Sequence, residues 1–251
     1  MPEVPMSPEL EASVIAKNAA EAAAFQARVL QYEAEANKLE SEAAVAQHKA
    51  AQEEIELRQK QRIERELLAL DGYNYTYRFT DQVSDKTVAA AVDKLTFWRR
   101  TAPANQPIEL VFNSPGGSVI AGMDLFDYIQ ELRRDGHYVT TSTRGMAASM
   151  GGILLQAGDK RVMGHEAYVL IHEVATGTYG KIGEIEDEVK FMKKIGERVI
   201  DIFLTRAAQA YEAGTATKQL TRGLFTKSWE RKDWWLNSAE ALELGVVDEL
   251  R

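Results

Sequence analysis

The sequence predicts an α/β fold with a layered sheet, preceded by a long helical arm. Three observations predict it. From just after Pro8 to Leu70 the chain is rich in Ala, Glu, Gln and Lys and has neither Gly nor Pro, a composition that favours unbroken helix. Beyond Gly72, short β-rich apolar runs alternate with stretches of helical periodicity, as in α/β domains. Turn signals, namely Asp71-Gly72, Ser114-Pro115-Gly116-Gly117 and Asp135-Gly136, separate these runs.

In the arm, Phe25, Val29, Tyr32, Ala36, Leu39, Ala43, Ala46, Ala50 and Leu57 follow a 4-3 spacing interrupted only at Glu53. The spacing predicts an amphipathic helix or coiled-coil arm. Its alanines make a weak seam alone, which suits an arm that docks on a partner or pairs within an oligomer. The domain boundary is expected at 71/72, with an arm over 1–71 and an α/β domain over 72–251.

Tyr73 to Phe79 reads as a strand, and Ser84 caps a helix running to about Arg100. Ile108 to Asn113 is a short apolar strand before the Pro-Gly-Gly turn. Val119 to Leu132 is an amphipathic helix. Tyr138 to Thr143 is β-rich, and Ala147 to Ala157 reads as a small buried helix. Lys160 to Met163 and Ala167 to Ile171 are two more strands. A long helix is expected from about Lys181 to Ala213, a short one at Ser238, and a last strand at Val246 to Asp248.

Composition narrows the chemistry. The chain has 251 residues, enough for one substantial domain and an appendage. A net charge of -8 argues against general nucleic-acid binding, which needs a basic face. With no cysteine, disulfides, thiolate metal sites and a cysteine nucleophile are excluded. The N-terminus, MPEVPMSPEL, has no basic and apolar regions of a secretory signal. No apolar run approaches the ~20 residues of a membrane span. A cytoplasmic location is therefore expected.

Ser149 follows a strand and opens a helix within Gly145-Met146-Ala147-Ala148-Ser149-Met150-Gly151, the context in which a tight turn presents a nucleophile. Unpaired N–H groups at the helix start would suit a developing oxyanion. The same serine would also serve as a plain helix cap. The two glycines after Pro115 allow close backbone approach, either to place an N–H at an oxyanion or to offer an edge to an extended peptide. A Pro-Gly-Gly turn without function is equally familiar.

A base must come from His48, His137, His165 or His172. His48 lies in the arm, His137 is expected in solvent, and His165 follows a strand end. His172 closes an apolar strand, where α/β sheets present site residues. Neither His165-Glu166 nor His172-Glu173 continues to the second histidine of a zinc-binding helix, so no metal and no cofactor is expected. Asp187, Asp201, Asp233 and Asp248 all lie downstream as possible third members.

Taken together, these motifs resemble the Clp peptidase family over about Tyr75 to Leu250. The resemblance is carried by Asn113-Ser114-Pro115-Gly116-Gly117, Ala121-Gly122-Met123, Gly145 to Gly151, Val169 to His172, Gly177 to Gly183, Arg231 to Ala241, and Leu244 to Asp248. It implies the layered ββα-repeat fold that this family shares with crotonases. It also implies a serine endopeptidase with Ser149 as nucleophile, His172 as base and Asp233 as the residue orienting it. By the same resemblance the N–H groups of Gly117 and Met150 form an oxyanion hole, and Gly116, Gly117, Ser118 and Val119 bind substrate. Further implied are paired heptameric rings that meet through Gly177 to Gly183 and the helix beyond, protein substrates, and a ring ATPase partner. A phage relative acting on capsid or scaffold protein is the alternative that the arm suits. Crotonase-type acyl-CoA chemistry needs no Ser-His-Asp set, and a noncatalytic ring subunit would have no use for one.

Three departures from the family pattern stand out. Glu173-Val174 follows His172 where an amide residue and proline are usual. The stretch before Asp233 is longer, through Ala213 to Lys227. The arm has no counterpart in ordinary members.

Overall fold

The computed structural model describes residues 7–175, 177 and 179–251. The expectation for the extreme N-terminus, and part of that for Gly177 to Gly183, lie outside the described residues. The chain divides into two compact units, Met1–Leu67 and Leu68–Arg251.

Among the described residues the first unit consists almost entirely of one helix, α1 (Pro8–Leu68), which ends one residue past the boundary and has no buried residue. Proline at its first position needs no donor there. With no tertiary burial, this helix rests on propensity and on i,i+4 pairs such as Arg58–Glu54 at 2.6 Å and Arg62–Glu66 at 2.8 Å, each worth ~0.3–0.5 kcal/mol. No helix among the described residues is long and apolar enough to cross a membrane.

The second unit is built on β1 (Thr76–Phe79), α2 (Asp85–Thr101), β2 (Ile108–Ser114), α3 (Val119–Arg134), β3 (Val139–Ala148), α4 (Met150–Leu155), β4 (Lys160–Met163), β5 (Tyr168–Ile171), α5 (Ile182–Glu212), α6 (Arg222–Trp229), β6 (Trp234–Asn237), α7 (Ser238–Glu243) and β7 (Glu249–Leu250). Among the described residues seven strands form one sheet, ordered β1-β2-β3-β4-β7, with β5 joined to β3 and β6 joined to β5. All pairs are parallel except β5–β6. Mixed α/β architecture with a long N-terminal helix is what the sequence predicts.

β3 positions everything that follows. Its first half pairs with β4 through Thr140↔Lys160 to Thr143↔Met163. Its second half pairs with β5 through Met146↔Tyr168 to Ala148↔Leu170. Between the halves the register against β2 shifts, from Phe112↔Thr143 to Ser114↔Ala147. Gly145 makes the shift possible with φ +87°; a Cβ there would lie 2.6 Å from Asn113 Oδ1. That same oxygen accepts the Met146 N–H at 3.2 Å.

Four details differ from expectation. β3 continues to Ala148 instead of ending at Thr143, and the buried helix α4 begins at Met150. α6 and β6 are additional elements. The last strand is Glu249–Leu250, because Val246 and Val247 are packed into the core before Asp248 turns to meet Arg161. His137 is 7% exposed, with Nδ1 3.0 Å from the Gln106 carbonyl, where solvent exposure was expected.

Arg161 is 1% exposed, yet its charge is matched. It donates to both carboxylate oxygens of Asp248, to Gln156 and to the Gly245 carbonyl, each of these last two at 2.8 Å. Burial pushes the Asp248 carboxyl up, but the hydrogen bonds and charge of Arg161 together outweigh it and leave the carboxyl below its ordinary value. We expect Asp248→Ala to cost about 3–5 kcal/mol in urea denaturation at neutral pH, because it strands a buried cation. A carboxyl depressed by folding stabilises fully above its unfolded value of ~3.9 and loses that contribution as pH falls below it. The wild-type acid limb should therefore be steeper than that of Asp248→Asn.

Candidate active site

The ends of β2, β3 and β5 converge on one cavity of about 250 Å³, and Asp233, just before β6, is not among the residues that line it. The lining includes Gly116, Gly117, Ser149, Ile153, His172, Val174, Val199 and Phe203. Ser149 stands one residue beyond β3 and donates its N–H to the Leu170 carbonyl of β5 at 2.9 Å. The next two residues of that strand and its exit are Ile171 and His172. Parallel pairing thus delivers the serine and the histidine side by side. β6 runs antiparallel to β5 with Ile171 opposite Trp234, so extending the register by one residue sets Asp233 opposite His172. On the other flank, Ser114↔Ala147 brings the end of β2 and its glycine turn against Ser149.

Ser149 has φ 53° and ψ -120° and makes no side-chain cap bond. A non-glycine residue in that region carries ~1–3 kcal/mol of strain. Its surroundings hold it there: its carbonyl accepts from Gly152 and Ile153, and the helix that follows is buried throughout. The backbone N–H of Met150 makes no backbone hydrogen bond among the described residues. The Met150 side chain is packed so close to α3 that a Cβ on Gly122 would come within 2.3 Å of it.

The glycine turn is held between two neighbours. Gly116 O accepts from Val83 N, and Ser118 N donates to Val83 O, both at 2.8 Å. Alternation along an extended backbone then leaves the N–H and C=O of Gly117 on the opposite side, and neither makes a backbone hydrogen bond among the described residues. Gly116 at φ +90° and Gly117 at φ +147° allow this approach. A Cβ on Gly116 would lie 2.6 Å from Ser149 Cβ, and one on Gly117 would lie 2.2 Å from Val83 O. Of the four residues expected to bind substrate, Gly116 and Ser118 are thus already engaged by Val83 through one backbone group each. Val119 lines the cavity and is the first residue of α3.

Ser149 and His172 are half-buried and Asp233 is exposed. No hydrogen bond joins the three side chains among the described residues. Of the four candidate acids, Asp187 is paired with Lys190, Asp201 with Arg222 and Asp248 with Arg161. Asp233 has no ion pair among the described residues. His48 is exposed on α1, and the backbone carbonyl of His165 accepts from Ser238; neither lines the cavity.

Several contributors escape sequence reasoning. Val83 is an ordinary valine until its backbone pairs with the glycine turn. Val199 and Phe203 come from α5, about 50 residues beyond Ser149. Glu173 accepts the Arg231 N–H at 2.9 Å, and its departure from the family pattern was the only signal it gave.

A serine, a histidine and a glycine turn thus meet at one cavity, an arrangement that suits a serine-type hydrolase. The family model described as Clp protease matches residues 74–251. The chain is 32% identical over 174 residues to ATP-dependent Clp protease proteolytic subunit 1 of Chlamydia muridarum, covering 68% of this chain and 82% of that one. The subunits of the same name from Chlamydia abortus and Chlamydia caviae are 32% and 31% identical over the same length. The chain belongs to the Clp protease family and is a serine-type peptidase.

Gly117→Ala should damage both fold and function, because the added Cβ meets backbone and the φ is strained for any L side chain. A lower melting temperature together with lost esterase activity is expected. Wild-type values for both would mean that the turn is not clamped by Val83.

Proposed function

We propose that this protein is an endopeptidase that cleaves unfolded proteins through an acyl-enzyme on Ser149. His172 acts as general base and then as acid, and Asp233 holds the imidazole in the productive tautomer. The N–H groups of Gly117 and Met150 receive the oxyanion. The observation that carries this reading is the convergence of the ends of β2, β3 and β5 on one cavity, with β6 paired alongside β5.

Ser149 Oγ attacks the scissile carbonyl while His172 takes its proton. The tetrahedral intermediate collapses as His172 returns that proton to the leaving amine. Water then repeats the sequence on the ester, with His172 again the base, and frees Ser149. The carbonyl and N–H of Gly117 face the cavity side of the turn, which suits pairing with an extended chain. Gly116, Ser118 and Val119 act mainly as the frame of that edge.

The peptidase unit is assigned to 72–251 and the arm to 1–71. Assembly as paired heptameric rings, work with a ring ATPase and a cytoplasmic location are further parts of the proposal. Support comes from the family and from the "ATP-dependent" in the relatives' names. The 61-residue exposed helix favours one second reading of the substrate, a capsid or scaffold protein trimmed during phage head assembly.

Ser149→Ala should abolish casein hydrolysis while leaving the assembly, measured by sedimentation, intact; unchanged turnover would contradict the assignment. Asp233→Asn should slow the enzyme by about 10⁴-fold, as when a triad histidine is held in the wrong tautomer. A larger loss in Asp201→Asn would move the third role to that residue. Removing residues 1–71 should weaken assembly or recruitment more than cleavage of a short peptide, and identical behaviour in all three assays would leave the arm without a role.

A further inference from the structure

The segment that presents Asp233 is short and irregular. It joins the end of α6 at Trp229 to the start of β6 at Trp234. Its downstream end is well anchored. Trp234 packs edge-on against Phe225 with centroids 5.6 Å apart, and Phe225 is itself fully buried beside Phe203 and Trp229. The upstream end carries a conformational cost, since Arg231 has φ 55°, a region that non-glycine residues avoid. Arg231 and Asp233 are both exposed, so burial does not hold this side of the loop.

Within the loop the Lys232 N–H is donated to the Trp229 carbonyl at 3.1 Å, and one side-chain hydrogen bond ties the loop to β5. The Arg231 N–H is donated to Glu173 Oε2 at 2.9 Å. Glu173 directly follows His172 on the exit of β5, and the β5–β6 register, which ends at Ile171↔Trp234, sets His172 opposite Asp233 when extended by one residue. A single side chain therefore ties the loop carrying the acid to the strand end carrying the base. A charged acceptor makes this bond stronger than a neutral one, although its exposure reduces its net worth.

We propose that Glu173 is a positioning residue, whose hydrogen bond to the Arg231 backbone holds Asp233 across from His172. This rests on the reading of Ser149, His172 and Asp233 as a triad. Glu173 acts through Asp233 alone: it neither takes a proton nor contacts the serine. Glu173 is exposed on the wall of the cavity, so its removal leaves no buried void, and the aromatic cluster behind Trp234 is untouched.

The test is the rate at which the full-length protein is acylated by a p-nitrophenyl ester, followed as release of p-nitrophenolate and corrected for the Ser149→Ala background. Two variants separate the hydrogen bond from the charge. Glu173→Gln and Glu173→Ala both remove the negative charge beside His172, but only the amide keeps an acceptor for the Arg231 N–H. Glu173→Ala should slow acylation about tenfold with little change in KM, and Glu173→Gln should recover most of the rate. In an Asp233→Asn background, Glu173→Ala should cost nothing further, since residues acting in series are not additive. Equal losses in Gln and Ala would assign the effect to charge and overturn the proposal. So would wild-type rates in both, or a full additional loss in the Asp233→Asn background. A wild-type protein no faster than Ser149→Ala would instead remove the triad reading on which the proposal stands.

Discussion

The site hangs on one irregularity, the break in β3 at Gly145. An unbroken strand would keep β4 as its neighbour to the end. The backbone at φ +87°, closed by the Asn113 side chain on the Met146 N–H, turns the second half of the strand to a new partner, β5. Ser149 then leaves the sheet beside the strand that ends in His172, and β6 follows on the far side with Asp233. Without the break, serine and histidine would belong to strands that do not touch.

The energetics follow the same geometry. Ser149 holds a strained backbone at the head of a helix whose six residues are all buried. Burial of this kind is worth ~1.5–3 kcal/mol for each large apolar side chain, which exceeds the local strain of a single residue. Glycines flank the serine where atoms must come within van der Waals contact, and a buried arginine–carboxylate cluster ties β4 to the chain just before β7. The rigid half of the site is thus the half with the serine. The proposed acid, Asp233, sits at the exposed end, held by aromatic packing on one side and by one carboxylate on the other.

Much of this was legible in the sequence. β2, β4 and β5 show as short apolar runs between turn residues, and the Gly-rich surroundings of Ser149 mark a tight turn after a strand. α6 and β6 were not legible. Trp234–Asn237 is four residues long with an exposed Trp235, and it becomes a strand only because β5 lies beside it. α6 is defined by Phe225 and Trp229 filling space against α5, a tertiary cause that periodicity over eight residues does not reveal. The choice of a third residue was likewise left open by chemistry, since four aspartates follow His172, and Asp233 remains the proposed one. Ion pairing of three of them and the β5–β6 register are properties of the folded chain. The break at Gly145 was missed for a related reason: a glycine before an expected helix reads as a strand end, whereas here it re-aims the strand.

Central to the account is that the broken β3 delivers an activated serine to the histidine at the end of β5. The most direct measurement is reaction of the purified full-length protein with a fluorophosphonate, with the adduct located by peptide mass spectrometry. The account predicts a single adduct on Ser149 that disappears in His172→Ala. An adduct elsewhere, or labelling of Ser149 that survives the loss of His172, would contradict it.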